Sequence, residues 1–373
     1  MRIEKFEIYQ IAMPLISPWE TAYGKDSEIH SVLIKATSGD YEAWSESSPL
    51  YAPTYLTESA GSVFYNVSEF FAPFLLDMDF ESAQEINNKL SIFKGNAFAK
   101  AAVEICWWTL QSKITKTPLH KLLGGNSKEV LAGTTFGIQD SIDMLLDNIQ
   151  TAVDKGFPRV KLKVSRGWDL EVLKAVRSTF PNLVLHIDCN GGYSLKDIGL
   201  FKEIDKLNLI FIEQPLHFSD VLDHSELAKK IATPICLDES ITSIKSTEDA
   251  IKVNACKFIN IKPGRVGGLY NSIEINKLAI DNGIPVWVGG MLESSVGAAI
   301  CVELATLENF SYPGDLSPSS KFYKIDLSDT PLEFTENLTF KPFGIDLPKP
   351  NSKRLEQRTI RKSIISAKQI KNN

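Results

Sequence analysis

The chain has 373 residues, of which 43% are hydrophobic and 23% charged, and 40 Lys+Arg stand against 46 Asp+Glu for a net charge of −6. A single compact core rarely exceeds ~250–300 residues, so a large domain with a smaller one is expected, and the composition excludes disorder, collagen and coiled coil. Mild acidity offers no general attraction to nucleic acid or an anionic membrane, and no apolar run reaches the ~18–20 residues of a membrane helix.

The N-terminal stretch MRIEKFEIYQIAMPL carries charges every few residues, where a signal peptide needs an unbroken apolar core. The cysteines Cys106, Cys189, Cys236, Cys256 and Cys301 are scattered and never form C-x-x-C. Reduced thiols in a cytoplasmic protein are expected, with neither a disulfide framework nor a zinc site.

In chain order, residues 1–14 and 31–45 alternate polar and apolar residues as strands do, with turn chemistry at Ser38-Gly39-Asp40. Ser17–Lys25, rich in aromatics, Pro and Gly, is expected to be a loop. Residues 98–113 repeat apolar side chains at i, i+3 and i+4, as a helix does, and the Leu122-Leu123-Gly124-Gly125 run supplies its stop. From about Leu131 the texture changes. β-like runs at 133–138, 159–164, 183–188, 209–215, 234–240, 257–263 and 284–290, and a weaker eighth near 310–316, alternate with helical runs such as 140–156 and 268–283. Single helices between strands mean βαβ units and a parallel sheet. Residues 351–373 are polar and basic (Lys353, Arg354, Arg358, Arg361, Lys362, Lys368, Lys371), and a solvated tail or surface helix is expected.

Polar residues mark the strand ends. Lys163, Asp188, Glu213, Asp238 and Lys262 follow one another at steps of 25, 25, 25 and 24 residues. A leucine-rich solenoid would share that period, but its L-x-x-L-x-L-x-x-N repeat is absent. A doubly wound sheet would want a glycine-rich nucleotide turn after its first strand, and GTTFGIQ is not one. A (β/α) barrel fits, because its functional groups stand at strand C-terminal ends. Lys163 then ends barrel strand two and Lys262 strand six, facing each other across the mouth, with the carboxylates on strands three to five between them. Surface acids at strand ends are common singly; three at equal steps point to a shared ion. An all-oxygen set without His or Cys suits a hard divalent cation, Mg²⁺ first and Mn²⁺ as a substitute.

Lys161 and Lys163 lie two apart on one strand, so both side chains face the same way. Crowded in a barrel interior, they are expected to depress each other's pKa, as a lysine base needs near neutral pH. A metal flanked by opposed lysines suits removal of a proton α to a substrate carboxylate, giving an enediolate. Such a site can racemise, or it can eliminate a β-leaving group. His186 is expected to be a hydrogen-bonded core histidine and His217 a loop residue. Cys189 and Cys236 are expected to be packing residues, and Trp107 and Trp108 helix core or interface.

The set KLK (161–163), HIDCN (186–190), IEQP (212–215), LDES (237–240), IKPGRVGG (261–268) and GGMLES (289–294), in this order, resembles the enolase superfamily. Within it the resemblance is to the muconate-lactonising-enzyme subgroup, and there to the o-succinylbenzoate synthase / N-succinylamino acid racemase group. AKAAVEICWW (99–108), KLLGG (121–125) and YPGDLSPSSKFY (312–323) extend it over roughly residues 1–345. The resemblance implies a modified (β/α)7β TIM-like barrel with an α+β capping domain. The corresponding division is a cap over 1–125, a barrel over 126–320, and a segment 321–373 returning to the cap, its basic tail starting near 351.

The resemblance further implies Mg²⁺ on Asp188, Glu213 and Asp238, with Lys163 and Lys262 as the acid/base pair. Lys161, Asn190, Glu239 and Arg265 would support them; Arg265 matches the arginine of racemase-capable members. Residues 19–24 and 50–55 would form loops closing over substrate. Trp19, Tyr55, Thr135, Gly290, Met291 and Leu292 would line its pocket. Thr109 stands where an Asp is usual, far from the chemistry. The implied function is o-succinylbenzoate synthase: syn-dehydration of 2-succinyl-6-hydroxy-2,4-cyclohexadiene-1-carboxylate in menaquinone biosynthesis. N-succinylamino acid racemase is the alternative, using the same lysines. Dipeptide epimerase is disfavoured because GGMLES lacks an acidic D-x-D, and a non-catalytic metal scaffold because all five residues are kept. A small-molecule carboxylate substrate and a homo-oligomer are expected, without nucleic-acid or membrane partners.

Overall fold

The structure, a computed structural model, describes residues 1–367. Three antiparallel strands open the chain: β1 (Lys5–Thr21), β2 (Gly24–Ser38) and β3 (Tyr41–Ser47). The expected loop at 17–25 is mostly strand. β1 skips register between Pro14 and Trp19 and resumes pairing, Trp19 with Asp26 and Thr21 with Gly24. Pro14 has no N–H to donate, so the ladder breaks there rather than ending. The hairpin tip thereby reaches out over the barrel mouth.

The helix Ala97–Thr115 packs on β2 and β3, and its opposite side meets the turn after barrel strand six. Most of its residues are buried, which explains why apolar side chains recur on nearly every face of it. It stops earlier than expected. Lys116 adopts a left-handed φ of 54°, and Pro118 bars continuation before the glycine pair is reached.

Seven parallel strands form the second sheet: Thr134–Phe136, Val160–Lys163, Leu185–Asp188, Ile212–Glu213, Ile235–Leu237, Phe258–Ile261 and Val286–Val288, paired in chain order. The eighth β-like run is not a regular strand. It closes the barrel through isolated parallel bridges, Val286 with Phe310 and Gly289 with Asp315 on one side, Ala132 with Gly314 on the other. Helices cover the outside; Ile142–Asp154 is capped by Ser141, whose hydroxyl accepts from Met144 N–H at 3.1 Å, and buries Leu145, Ile149 and Ala152. The fold is an α/β TIM-like barrel with an α+β cap.

The basic C-terminal segment is not a solvated tail. Ser352–Arg358 is helical, and Thr359–Ser366 is the fourth strand of the cap sheet, antiparallel to β1. Its sequence TIRKSIIS has no clean period of two, and Ile360 and Ile364 stay exposed, so no local pattern marks it as a strand. Lys368 and Lys371 lie outside the described residues.

Candidate active site

Each expected strand end delivers its side chain to the barrel mouth. Val160–Lys163 and Leu185–Asp188 are buried at every position, and neighbouring registers place Lys163 beside Asp188 and Asp188 beside Glu213. Oxygens of Asp188, Glu213 and Asp238, all fully buried, lie within 4.8 Å of one another. Lys163 Nζ donates to Asp188 Oδ2 at 2.6 Å and to Asn190 Oδ1 at 2.8 Å. Lys262 Nζ donates to Asp238 Oδ2 at 3.0 Å. The two ammonium groups thus rest on the outer members of the trio, from strands on opposite sides of it.

The backbone bends sharply where the strands end. Asn190 and Gln214 hold positive φ of 44° and 35°, uncommon for residues with a Cβ and usually found where surroundings enforce them. Gln214 shows the purpose: its Oε1 accepts the N–H of Asp238 at 3.0 Å and of Ser240 at 3.2 Å, pinning the Asp238 strand. Asn190 Nδ2 donates to Glu239 Oε1 at 2.8 Å. Asn260 Nδ2 holds Glu213 Oε1 at 2.8 Å.

The cluster stands on an aromatic floor. Phe211 and Trp287 fill the barrel interior with His186, Phe258 and Tyr312 around them. His186 is the hydrogen-bonded core residue expected, with Nδ1 2.9 Å from Tyr312 OH, and His217 is exposed and bonded to Ser219. Cys189 and Cys236 are buried thiols, and Trp107 and Trp108 pack edge to face on their helix. Thr109 donates to the Trp44 carbonyl at 3.2 Å, inside the cap.

The electrostatics overturn one expectation. Burial disfavours the Lys161 ammonium, but the charges of Asp188, Glu213 and Asp315 outweigh it and hold Lys161 above the usual lysine range. Contacts at 2.9, 2.8 and 3.2 Å to these three carboxylates matter more than a second lysine two residues away. Lys262 is likewise raised: burial is outweighed by Tyr55, Glu239 and Glu213. Burial works to raise Asp188, but Lys161 and Lys163 hold it below the ordinary carboxylate range. Burial and the Asp188 charge raise Glu213 and Glu239.

The donor set fits a hard divalent cation. It is three carboxylates without a nitrogen or sulfur ligand. Among the described residues, Glu213 Oε2, though 2.8 Å from the Lys161 ammonium, accepts no hydrogen bond of good geometry, and Glu239 Oε2 is buried without a hydrogen-bond partner. Unsatisfied buried oxygens of this kind want a positive partner.

Trp19, Tyr55, Thr135, Gly290, Met291 and Leu292 all line the cavity above the trio, together with Lys161, Lys163, Asn190 and Lys262. Its free volume is only about 60 Å³. Arg265 is fully buried beside it, bonded through Nη1 to Asp238 Oδ1 and, at 3.2 Å, to Tyr55 OH. Tyr55 OH also lies 3.0 Å from Lys262 Nζ. Sequence reasoning missed Asp315, whose Oδ2 meets Lys161 and whose Oδ1 accepts the Thr135 hydroxyl at 2.5 Å. It ends the weak eighth run, so the strand-end rule applied there would have found it.

Comparison with known proteins now places the chain. A family model for the mandelate racemase / muconate lactonizing enzyme N-terminal domain matches residues 5–124, and one for the enolase C-terminal domain-like fold matches residues 144–345. The chain belongs to the enolase superfamily. Within the superfamily it groups with the o-succinylbenzoate synthases and N-succinylamino acid racemases. It is 38% identical over 347 residues to an N-succinylamino acid racemase of Thermus thermophilus, covering 93% of this chain and 94% of that protein. It is also 38% identical over 329 residues to an o-succinylbenzoate synthase of Bacillus subtilis, covering 88% of each. The crystal structure of an enolase superfamily member from Listeria innocua superposes with a TM-score of 0.93 at 33% identity, covering 98% of this chain and 99% of that one.

Proposed function

We propose that the protein is an o-succinylbenzoate synthase, catalysing syn-dehydration of 2-succinyl-6-hydroxy-2,4-cyclohexadiene-1-carboxylate in menaquinone biosynthesis. The observation that carries this reading is the pair of lysines on opposite flanks of a buried three-carboxylate cluster. Asp188, Glu213 and Asp238 would hold Mg²⁺, with Mn²⁺ as a substitute. That cation, when bound, neutralises the substrate carboxylate and the negative charge that develops beside it.

Lys163, in its neutral form, takes the α-proton, and Asn190 orients its nitrogen. Lys262, charged and braced by Tyr55, faces the developing charge from the other flank. The electron pair released from the C–H bond forms the new ring C=C bond as the C–O bond breaks. The hydroxyl leaves as water with the proton that Lys163 has just taken from the same face, and the ring becomes aromatic, which makes the elimination strongly downhill. The aromatic floor and the hairpin tip keep bulk water away. With about 60 Å³ free, Trp19 and its neighbours must shift to admit substrate.

N-succinylamino acid racemisation is the second reading, favoured by one contact. Arg265 shares Asp238 with Lys262, so one carboxylate is divided between two cations, and this is the arginine that the resemblance associates with racemase-capable members. The experiment incubates purified protein and Mg²⁺ with each substrate. Ultraviolet loss of the diene reports dehydration, and solvent-deuterium incorporation into an N-succinylamino acid reports racemisation. Inertness toward the diene would overturn the first reading, and inertness toward both would overturn the shared chemistry.

A further inference from the structure

Along the first barrel strand, Thr135 faces the catalytic cavity, while Thr134 and Phe136 face the other way, toward the helix Ile142–Asp154. A separate cavity of about 460 Å³ opens there, within the usual size of small-ligand sites and far roomier than the catalytic pocket. Its walls are aromatic: Phe136, Phe157 and Phe334, the last two meeting edge to face at 5.6 Å between ring centres.

Two lysines line this apolar space, Lys321 from the loop after the eighth barrel segment and Lys155 at the exposed rim. Among the described residues Lys321 Nζ donates to neutral oxygens, the Thr135 carbonyl at 2.9 Å and the Ser317 and Thr134 hydroxyls at 3.4 and 3.5 Å, and lies 5.5 Å from the Phe322 ring centre. Among the described residues, no carboxylate is in salt-bridge contact with either ammonium. Burial pushes Lys321 down to about 8, against the more distant charge of Asp315. A partly buried cation without a counter-ion, at the wall of an apolar cavity, is costly unless an anion visits it.

We propose that this cavity is a second binding site, for a small aromatic carboxylate, whose ring lies among the phenylalanines and whose carboxylate meets Lys321 and Lys155. The site touches the catalytic pocket through Thr135 and Ser317, which line that pocket and are bonded to Lys321.

The test is isothermal calorimetry on the full chain, treated with chelator so that no cation anchors a carboxylate in the catalytic pocket. Benzoate is the probe and benzylamine the control of opposite charge. Benzoate should bind and benzylamine should not. Ala152→Trp, filling the cavity from the helix, should weaken benzoate at least tenfold. Lys155→Glu, on the exposed rim where folding is not at stake, should weaken it severalfold even where Ala152→Trp does not fold. No benzoate binding at millimolar concentration, equal binding of benzylamine, or benzoate affinity indifferent to Lys155→Glu would each overturn the proposal.

Discussion

Replacing each lysine in turn gives the sharpest test of the catalytic geometry. In Lys163→Ala the donor held 2.6 Å from Asp188 and 2.8 Å from Asn190 disappears, yet Asp188 keeps its Lys161 contact at 2.9 Å. The cluster is not left with an unpaired carboxylate, so stability should change by no more than about 1 kcal/mol. Turnover should fall by about 10³-fold, within the 10²–10⁴ that a positioned base contributes. Lys262→Ala should be equally damaging, because Lys262 serves the other flank. The two variants should differ in stereochemistry. Incubated in deuterium oxide with single enantiomers of an N-succinylamino acid, each keeps one lysine and should exchange the α-proton of one enantiomer only, the opposite one in the two variants. Mass spectrometry and proton NMR read both. Exchange of the same enantiomer by both variants, or a tenth of wild-type turnover surviving in Lys163→Ala, would refute the opposed-flank arrangement.

Gly289→Ala would place a Cβ 2.3 Å from Asn260 Oδ1 and 2.6 Å from Lys262 Cε; displacement of Lys262 should lower kcat about 10²-fold with the fold retained by circular dichroism. Arg159 is fully buried and closes the barrel seam by donating to the carbonyls of Gly314, Thr134 and Pro313 at 2.8, 3.1 and 3.3 Å. Arg159→Met should therefore cost about 3 kcal/mol in urea unfolding, and a loss below about 1 would count against that role. Burial works to raise Glu7, but hydrogen bonds from Lys5 and Tyr9 and the charge of Lys35 bring it down to about 2. Its folded pKa lies below the unfolded one, so its stabilisation is present above about pH 4.5 and lost as pH falls toward 2. Glu7→Gln should remove roughly 1–2 kcal/mol at pH 7 and little at pH 2 by urea titration. Chelation should abolish turnover, Mg²⁺ or Mn²⁺ should restore it, and either ion should raise the thermal midpoint by binding the native state alone; full activity in chelator would remove the cation from the reading.

The barrel and its mouth were legible because barrel strands are covered on both faces and punctuated by polar ends. Lys163, Asp188, Glu213, Asp238 and Lys262 needed only a period and a strand polarity to be placed together. What stayed hidden lacks local periodicity. Residues 359–366 show no clean alternation, and Arg361 and Lys362 among only eight residues give them the composition of a solvated tail, so only pairing with β1 decides their state. The hairpin tip at 19–26 carries aromatics for the cavity rather than for a core, so composition argued for a loop. The lysine protonation failed for a different reason. A pairwise rule along one strand cannot see carboxylates delivered from three other strands.

Buried glutamates show how the cap comes to govern the barrel. Glu46, on β3, accepts the N–H groups of Ser294 and Gly297 at 3.2 and 3.0 Å, at the start of the barrel helix Ser295–Leu304. Glu104, on the long cap helix, accepts those of Leu269 and Tyr270, both at 2.8 Å, at the start of Leu269–Asp281. Each sets carboxylate oxygens where a helix has unpaired N–H groups and a positive dipole end, while burial raises both groups, Glu104 to about 7. Gly268 makes the second contact possible, because a Cβ there would lie 2.3 Å from Glu104 Oε2. These contacts fix the cap at two points around the barrel mouth, and between them Tyr55 descends to touch Lys262, Arg265 and Asp238 together. On the proposed mechanism the cap would act through Lys262, so cap variants that loosen either anchor should lower turnover while leaving the carboxylate trio able to bind a cation, and unchanged turnover would count against this route.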